Sequence, residues 1–252
     1  MKKFLFLISF SLLLWGCSSS VNTSNYTAQQ RLDYALKLYH DESYLDAVQE
    51  FQAIILQYPG NAVVDDAQYY LAETRYERNE YILAAYEFSK LIKTMPASEF
   101  VPVSQYMLAQ CYFELSPDYR LEQQYTKKAI SEFQAFIDFF PTNDKVKDAE
   151  KKIVELNDKL AHKEFNTAEL YETMDFNKAA LMYYTNVVED YHDTKYAAMA
   201  QYNKIKLLID QNNNSEALDE IAKFLDRYPD DQNVKEIENL KTELQSNLSS
   251  KN

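Results

Sequence analysis

Five times along this chain the same skeleton recurs: an alanine, a large apolar residue four positions on, another three later, and then a tyrosine-proline stop or a near variant of one. The copies read Ala47/Phe51/Ile54/Pro59, Ala84/Phe88/Leu91/Pro96, Ala129/Phe133/Phe136/Pro141, Ala180/Tyr184/Val187/His192 and Ala217/Ile221/Phe224/Pro229. Steps of four and three put the apolar side chains on one stripe of a helix. Proline ends that helix, because it lacks the amide donor and pushes its predecessor out of the helical region. Upstream of each copy a first helix carries a small or apolar residue at a matching offset: Ala35, Ala72, Ala109, Ala168 and Ile205. One hairpin cannot bury its apolar face alone, so five in series predict an all-α solenoid in which each hairpin stacks on the next. Only Gly16 and Gly60 occur in the whole chain, which leaves too little turn chemistry for a sheet protein.

The pattern resembles the tetratricopeptide repeat. Its stops are 37 residues apart from Pro59 to Pro96 and from His192 to Pro229, against about 34 in the family unit, so slightly longer helices are expected. Repeats one and two take roughly residues 28–62 and 63–98. Repeat three carries about eight extra residues, Ser116 to Gln123, between its two helices. Such an insertion is either a contact site on one rim or a tolerated surface loop. From Asp144 to about Met174 the apolar positions Val146, Ala149, Ile153, Leu156 and Leu160 describe one long helix that joins the two halves. Asp148/Lys152 and Glu155/Lys159 lie one turn apart on its wet side. Val234 to Leu248 reads as a terminal helix that caps the last hairpin.

The first residues read as a processing signal: Lys2-Lys3, an apolar run from Phe4 to Trp15, then Gly16-Cys17 and three serines. Leu14-Trp15-Gly16-Cys17 resembles the lipobox of bacterial lipoproteins, which implies acylation of Cys17; ordinary cleavage beside an incidental cysteine is the alternative. Acyl chains tether a body to a bilayer at about 0.8 kcal/mol per buried methylene. The expected organisation is a lipoprotein signal peptide over 1–16, a lipidated flexible tether over 17–27, repeats one to three over 28–143, and repeats four and five with the capping helix over 144–252. Cys111, left without a partner if Cys17 is acylated, is expected in the core. Removing residues 1–16 deletes two lysines and no acid, leaving 24 basic against 39 acidic residues, a balance of −15. That charge repels phosphate backbones and anionic lipid faces, so nucleic acid is excluded as a partner and basic surfaces are favoured.

No catalytic constellation stands out. His40, His162 and His192 fall in different repeats without a metal-ligand neighbour on their own faces, and one interior glycine cannot build a phosphate loop. We therefore expect no enzyme activity, no metal and no cofactor. The inner face remains. In the tetratricopeptide architecture the first helices line a groove, and the matching positions here are Leu36, Tyr39, Tyr69, Tyr76, Tyr106 and Phe113, interleaved with Asp66, Glu73, Gln110 and Glu114. Rings beside a few polar groups suit an extended peptide with bulky apolar residues; inter-helix packing is the competing account.

The lipobox, five repeats, the insertion in repeat three and the long helix into repeat four together resemble the outer-membrane β-barrel assembly lipoprotein family. The most specific stretch runs from Leu156-Asn157-Asp158-Lys159-Leu160 through Ala179-Ala180 to Asp190-Tyr191-His192-Asp193-Thr194, with His192 where that family has proline. The resemblance implies a non-enzymatic scaffold on the periplasmic side of the outer membrane. It implies binding of residues 161–246 to the POTRA region of the barrel-forming assembly protein, and capture of the C-terminal segments of unfolded barrel substrates in the groove of residues 28–114. On this reading Tyr69→Ala with Tyr106→Ala weakens binding of such peptides without unfolding the chain. Two other readings are a tetratricopeptide lipoprotein that coordinates cell wall and outer membrane, which typically carries a coiled coil before its repeats, and a glycan-binding uptake lipoprotein, typically about twice as long.

Overall fold

A computed structural model describes residues 22–249. The described residues form helices only, paired as antiparallel hairpins: α1 (Ala28–His40) with α2 (Tyr44–Gln57), α3 (Val64–Glu77) with α4 (Tyr81–Thr94), and α5 (Val101–Glu114) with α6 (Gln124–Phe139). There follow α7 (Val146–Thr173) with α8 (Asn177–Asp190), α9 (Lys195–Asp210) with α10 (Asn214–Arg227), and a final α11 (Val234–Ser249). Each helix packs chiefly on its neighbours in sequence, so the body is a tetratricopeptide-like solenoid.

All three apolar residues of every skeleton copy are fully buried, and so are Ala35, Ala72, Ala109, Ala168 and Ile205 on the facing helices. Alanine opposite alanine brings the two helices of a hairpin close. The +4 and +7 side chains then fill the groove against the next hairpin. Cys111 is buried in the same way, in the cluster with Phe88 and Leu108.

The stop is a small module repeated five times. Tyr58, Met95, Phe140, Tyr191 and Tyr228 close their helices with φ between −123° and −132° and ψ between 39° and 57°. Three residues on, the amides of Asn61, Ser98, Asn143, Thr194 and Asp231 donate back to the stop carbonyls at 3.0–3.1 Å. In four copies the side chain at that position accepts the amide two residues ahead, from Asn61 to Val63, Ser98 to Phe100, Asn143 to Lys145 and Asp231 to Asn233. His192 replaces proline without changing the geometry at Tyr191, because the turn is held by these hydrogen bonds as well as by ring closure.

Within four hairpins the chain reverses through a single left-handed residue, Glu42, Asn79, Asp175 or Asn212, at φ 58–60°. Asparagine and aspartate tolerate that conformation, whereas a glutamate there bears a cost of about 1–2 kcal/mol. Glu42→Gly is therefore expected to raise stability by about 0.5–1 kcal/mol after the entropy of glycine is counted, read as a higher urea midpoint with an unchanged slope.

A second repeated device lies beneath the skeleton. Gln68 donates to the carbonyl and carboxylate of Glu87 at 3.1 and 2.8 Å, Gln105 to those of Glu132 at 3.3 and 2.8 Å, and Gln201 to those of Glu220 at 3.1 and 3.3 Å. Arg31 takes the same place in the first hairpin, 2.6 Å from Glu50. The glutamate always precedes the framework residue of the second helix, so each staple ties the two helices at one height. Repeat four has Glu164 and Tyr183 at these positions and lacks the staple.

Two expectations need correction. The segment before α1 is not free as far as Thr27: Tyr58 donates its hydroxyl to the Tyr26 carbonyl at 2.6 Å, Tyr26 packs edge-on against Tyr34, and Thr27 forms a capping box with Gln30. Cys17 and the proposed signal lie outside the described residues. On α7, Asp148 and Lys152 pair at 3.5 Å as expected, but Lys159 leaves Glu155 and donates to Ser116 at 2.8 Å.

Candidate functional site

The first helices of successive hairpins meet along one face, and the aromatic series of the sequence divides into two parts there. Leu36 packs on the first hairpin's core, and Tyr39 beside it meets Tyr70 edge-on at 5.6 Å. Tyr69 stacks on Phe100 at 4.5 Å, and Tyr76 reaches across to α5, its hydroxyl 3.3 Å from Glu114. These four are half-buried and contiguous with the acidic side chains of α3.

Tyr106 is not groove surface, and Phe113 is half-buried beneath a lysine. Tyr106 is buried edge-on against Phe133 and Phe136, donates its hydroxyl to Asp148, and carries Lys145 over its ring at 4.8 Å. Phe113 packs edge-on to Phe133 and is covered by Lys152 at 4.9 Å. Here α7 follows directly on α6, and Lys145 just ahead of it and Lys152 on it close over rings that the helical spacing alone placed in the open. Truncating Tyr106 opens a hole in the core, so Tyr106→Ala cannot serve as a groove test.

Between the two parts lies the polar centre of the face. Positions 36, 73 and 110 are equivalent in hairpins one to three, and they hold Leu36, Glu73 and Gln110. Burial pushes the Glu73 carboxyl up to about 7, against the opposing help of a hydrogen bond with Tyr69 and with Glu77 adding repulsion. Its Oε1 has no partner. Gln110 is buried, and its amide donates to Glu114 at 2.7 Å while its own Oε1 is also unpaired. Tyr76 is pushed up to about 12 by burial. Sequence spacing located this row, but its signal is the polar residue at a repeat position that the first hairpin fills with leucine.

The insertion in repeat three is not an open rim. Tyr119 stacks on His162 of α7 at 3.8 Å, and His162 stacks on Tyr196 of α9 at 4.9 Å. Lys163 donates to the Leu121 carbonyl at 2.6 Å, and buried Gln123 holds the carbonyls of Asp118 and Leu121. The loop thus clasps the third hairpin to the fourth and fifth. A separate apolar patch, Leu170, Met174, Phe176 and Met182, stands about half exposed or more at the tip of the fourth hairpin.

Among the described residues there is no helix long and apolar enough to cross a membrane, and no group of three or more potential metal ligands. Repeated hairpins with a polar-aromatic inner face and an apolar tip define a tetratricopeptide-type protein. The chain belongs to the outer membrane lipoprotein family YfiO, which it matches over residues 25–206. It is 25% identical over 202 residues to the outer membrane protein assembly factor BamD of Rickettsia prowazekii (strain Madrid E), covering 79% of this chain and 80% of the relative. Similar solved structures include a thermophilic TPR protein of Thermus thermophilus, TTC0263, 18% identical over 88% of this chain and 99% of that one with a TM-score of 0.37. The TPR domain of P58(IPK) is 15% identical over 88% and 56%, with a TM-score of 0.44.

Proposed function

We propose that this chain is a non-enzymatic scaffold of outer-membrane β-barrel protein assembly, anchored through Cys17 on the periplasmic side of the outer membrane. The first three hairpins receive extended segments of unfolded barrel proteins, and residues 161–246 bind the POTRA region of the barrel-forming subunit. The observation that carries the groove is the row of half-buried rings, Tyr39, Tyr69 and Tyr76, beside two buried acceptors without partners, Glu73 Oε1 and Gln110 Oε1. Unpaired buried acceptors are costly, and an extended backbone or side-chain donor satisfies them. The exposed apolar tip of the fourth hairpin supports a protein partner at the other end, since such a patch is unfavourable in water.

The test is purification of the full-length protein from outer membranes in mild detergent. Co-purification of a stoichiometric barrel protein with periplasmic repeat domains is expected; cell-wall factors or a transporter porin in its place overturn the reading. For the groove, Tyr39→Ala with Tyr76→Ala is expected to weaken binding of barrel-derived peptides at least tenfold with an unchanged helical circular dichroism spectrum. Unchanged affinity removes the groove from the proposal.

A further inference from the structure

The charge of the inner face specifies what it accepts. Glu73 and Glu77 on α3 and Glu114 on α5 converge there, and the rings beside them, Tyr39, Tyr69 and Tyr76, bear no cation, although the same face of hairpin three carries Lys145 over Tyr106 and Lys152 over Phe113. All the cation–ring contacts among the described residues involve rings at Tyr106 or beyond it in the chain. The third hairpin therefore shows the arrangement completed from within, with an ammonium on each ring of the stripe. The second hairpin has the rings and the carboxylates but no cation over those rings, and Lys145 reaches Glu73 only as a weak attraction.

The unpaired atoms agree with this independently. Glu73 Oε1 and Gln110 Oε1 are both acceptors, on equivalent positions of neighbouring hairpins, and Gln110 is 9% exposed. Gln68 and Gln201 also leave an Oε1 unpaired, but they are 0% and 1% exposed and already staple their hairpins through the same amide. At Gln110 the side chain above is the exposed Glu114, which holds both the Gln110 amide and the Tyr76 hydroxyl.

We propose that the groove of the second and third hairpins binds a lysine or arginine side chain of an extended peptide, and that it discriminates against a free terminal carboxylate. The cation lies between Glu73, Glu114 and the ring of Tyr76, with Gln110 Oε1 accepting one of its N–H bonds. Charge-assisted bonds and the ring face act together on such a group, and a guanidinium has enough donors for all of them. A terminal carboxylate meets like charge from Glu77 and Glu114, and from Glu73 where it is ionised, while the donors beside it, the Tyr76 hydroxyl and the Gln110 amide, are already committed to Glu114. This rests on the groove reading above and changes one part of it: the segment recognised is internal or blocked, not the carboxylate end expected from the family resemblance.

The experiment is fluorescence anisotropy of labelled barrel-strand peptides with the full chain, in three forms: an arginine-containing peptide with an amidated end, the same peptide with a free acid, and the amidated peptide with arginine replaced by norleucine. The amidated arginine form is expected to bind at least tenfold more tightly than the norleucine form and several-fold more tightly than the free acid. In Glu73→Gln the arginine preference is expected to fall to threefold or less, and thermal melting of the same sample shows that the variant is folded. Equal binding of all three forms overturns the cation site while leaving the groove standing. No binding by any form overturns both.

Discussion

Replacing Glu73 with glutamine is expected to stabilise the full chain by about 2–3 kcal/mol at pH 8 and by almost nothing at pH 4.5. Burial raises the folded carboxyl from its ordinary 4.5 to about 7. Between those values the unfolded chain has released its proton while the folded one keeps it, so the unfolded state gains stability as pH rises. The penalty grows from about pH 4.5, is complete a little above 7, and stays constant beyond. The groups facing Glu73 do little to relieve it: Tyr39 from α1, Tyr69 and Glu77 from α3, Cys111 and Glu114 from α5, with Lys145 ahead of α7 giving only a weak attraction. Burial likewise pushes the Cys111 thiol well above its usual range, so it stays neutral near pH 7 and neither adds to nor relieves the charge on Glu73. Glutamine keeps the shape and an acceptor for Tyr69 but removes the charge. A Tm gain of about 5 °C at pH 8, shrinking to nothing by pH 4.5, is the expected record. A gain independent of pH traces the effect to packing and removes the buried-charge account.

A residue that costs stability where its neighbours' equivalents are leucine or glutamine is one that local rules of folding do not explain. That links the stability measurement to the peptide experiment, since the same substitution is expected to strengthen the fold and blunt the preference for arginine. A purely structural Glu73 would do neither.

The five hairpins were legible because each is written in one helical stripe and one stop, and burial of every skeleton residue follows from that stripe. The long α7 and the capping α11 were legible for the same reason. What the spacing could not fix was which side of a first helix is covered by the next hairpin. Tyr69 and Tyr106 are equivalent in sequence, yet Tyr69 meets Phe100 and remains half-buried while Tyr106 is buried under Lys145 and bound to Asp148. The difference lies where the long helix follows the third hairpin, since Lys145 just ahead of it and Lys152 on it have no counterpart after the second. The staples were missed for another reason: a glutamate before a framework aromatic reads as a solvated position until its partner 19 or 27 residues back is seen across the hairpin. Likewise the docking of Tyr26 depends on a tyrosine 32 residues away.

The last staple supports the other large expectation. Lys204 and Glu220 face each other at 3.3 Å with side chains 9% and 6% exposed, and Lys223 adds a second contact at 2.8 Å from the surface. Burial by itself raises the Glu220 carboxyl, but the hydrogen bond from Lys223 and the charge of Lys204 outweigh it and hold the group below its ordinary value. Glu220→Ala leaves the Lys204 ammonium buried without a counter-ion, and about 3–5 kcal/mol of stability is expected to be lost at pH 7. Because the folded carboxyl is depressed, its contribution is present above the ordinary carboxylate range and disappears as pH falls through the folded value. The gap between the parent chain and Glu220→Ala should therefore close in acid, opposite to the behaviour of Glu73. The double replacement Lys204→Met with Glu220→Leu removes both charges together, and apolar side chains of similar volume are expected to bring stability back to within about 1 kcal/mol of the parent. Gln201 retains the Glu220 main-chain carbonyl in either case. A double variant as unstable as the single one would show that the ion pair itself stabilises the hairpin. Recovery shows instead that the charge pair is dispensable for stability while Gln201 still ties the two helices, and that the loss in the single variant is the cost of a stranded ammonium.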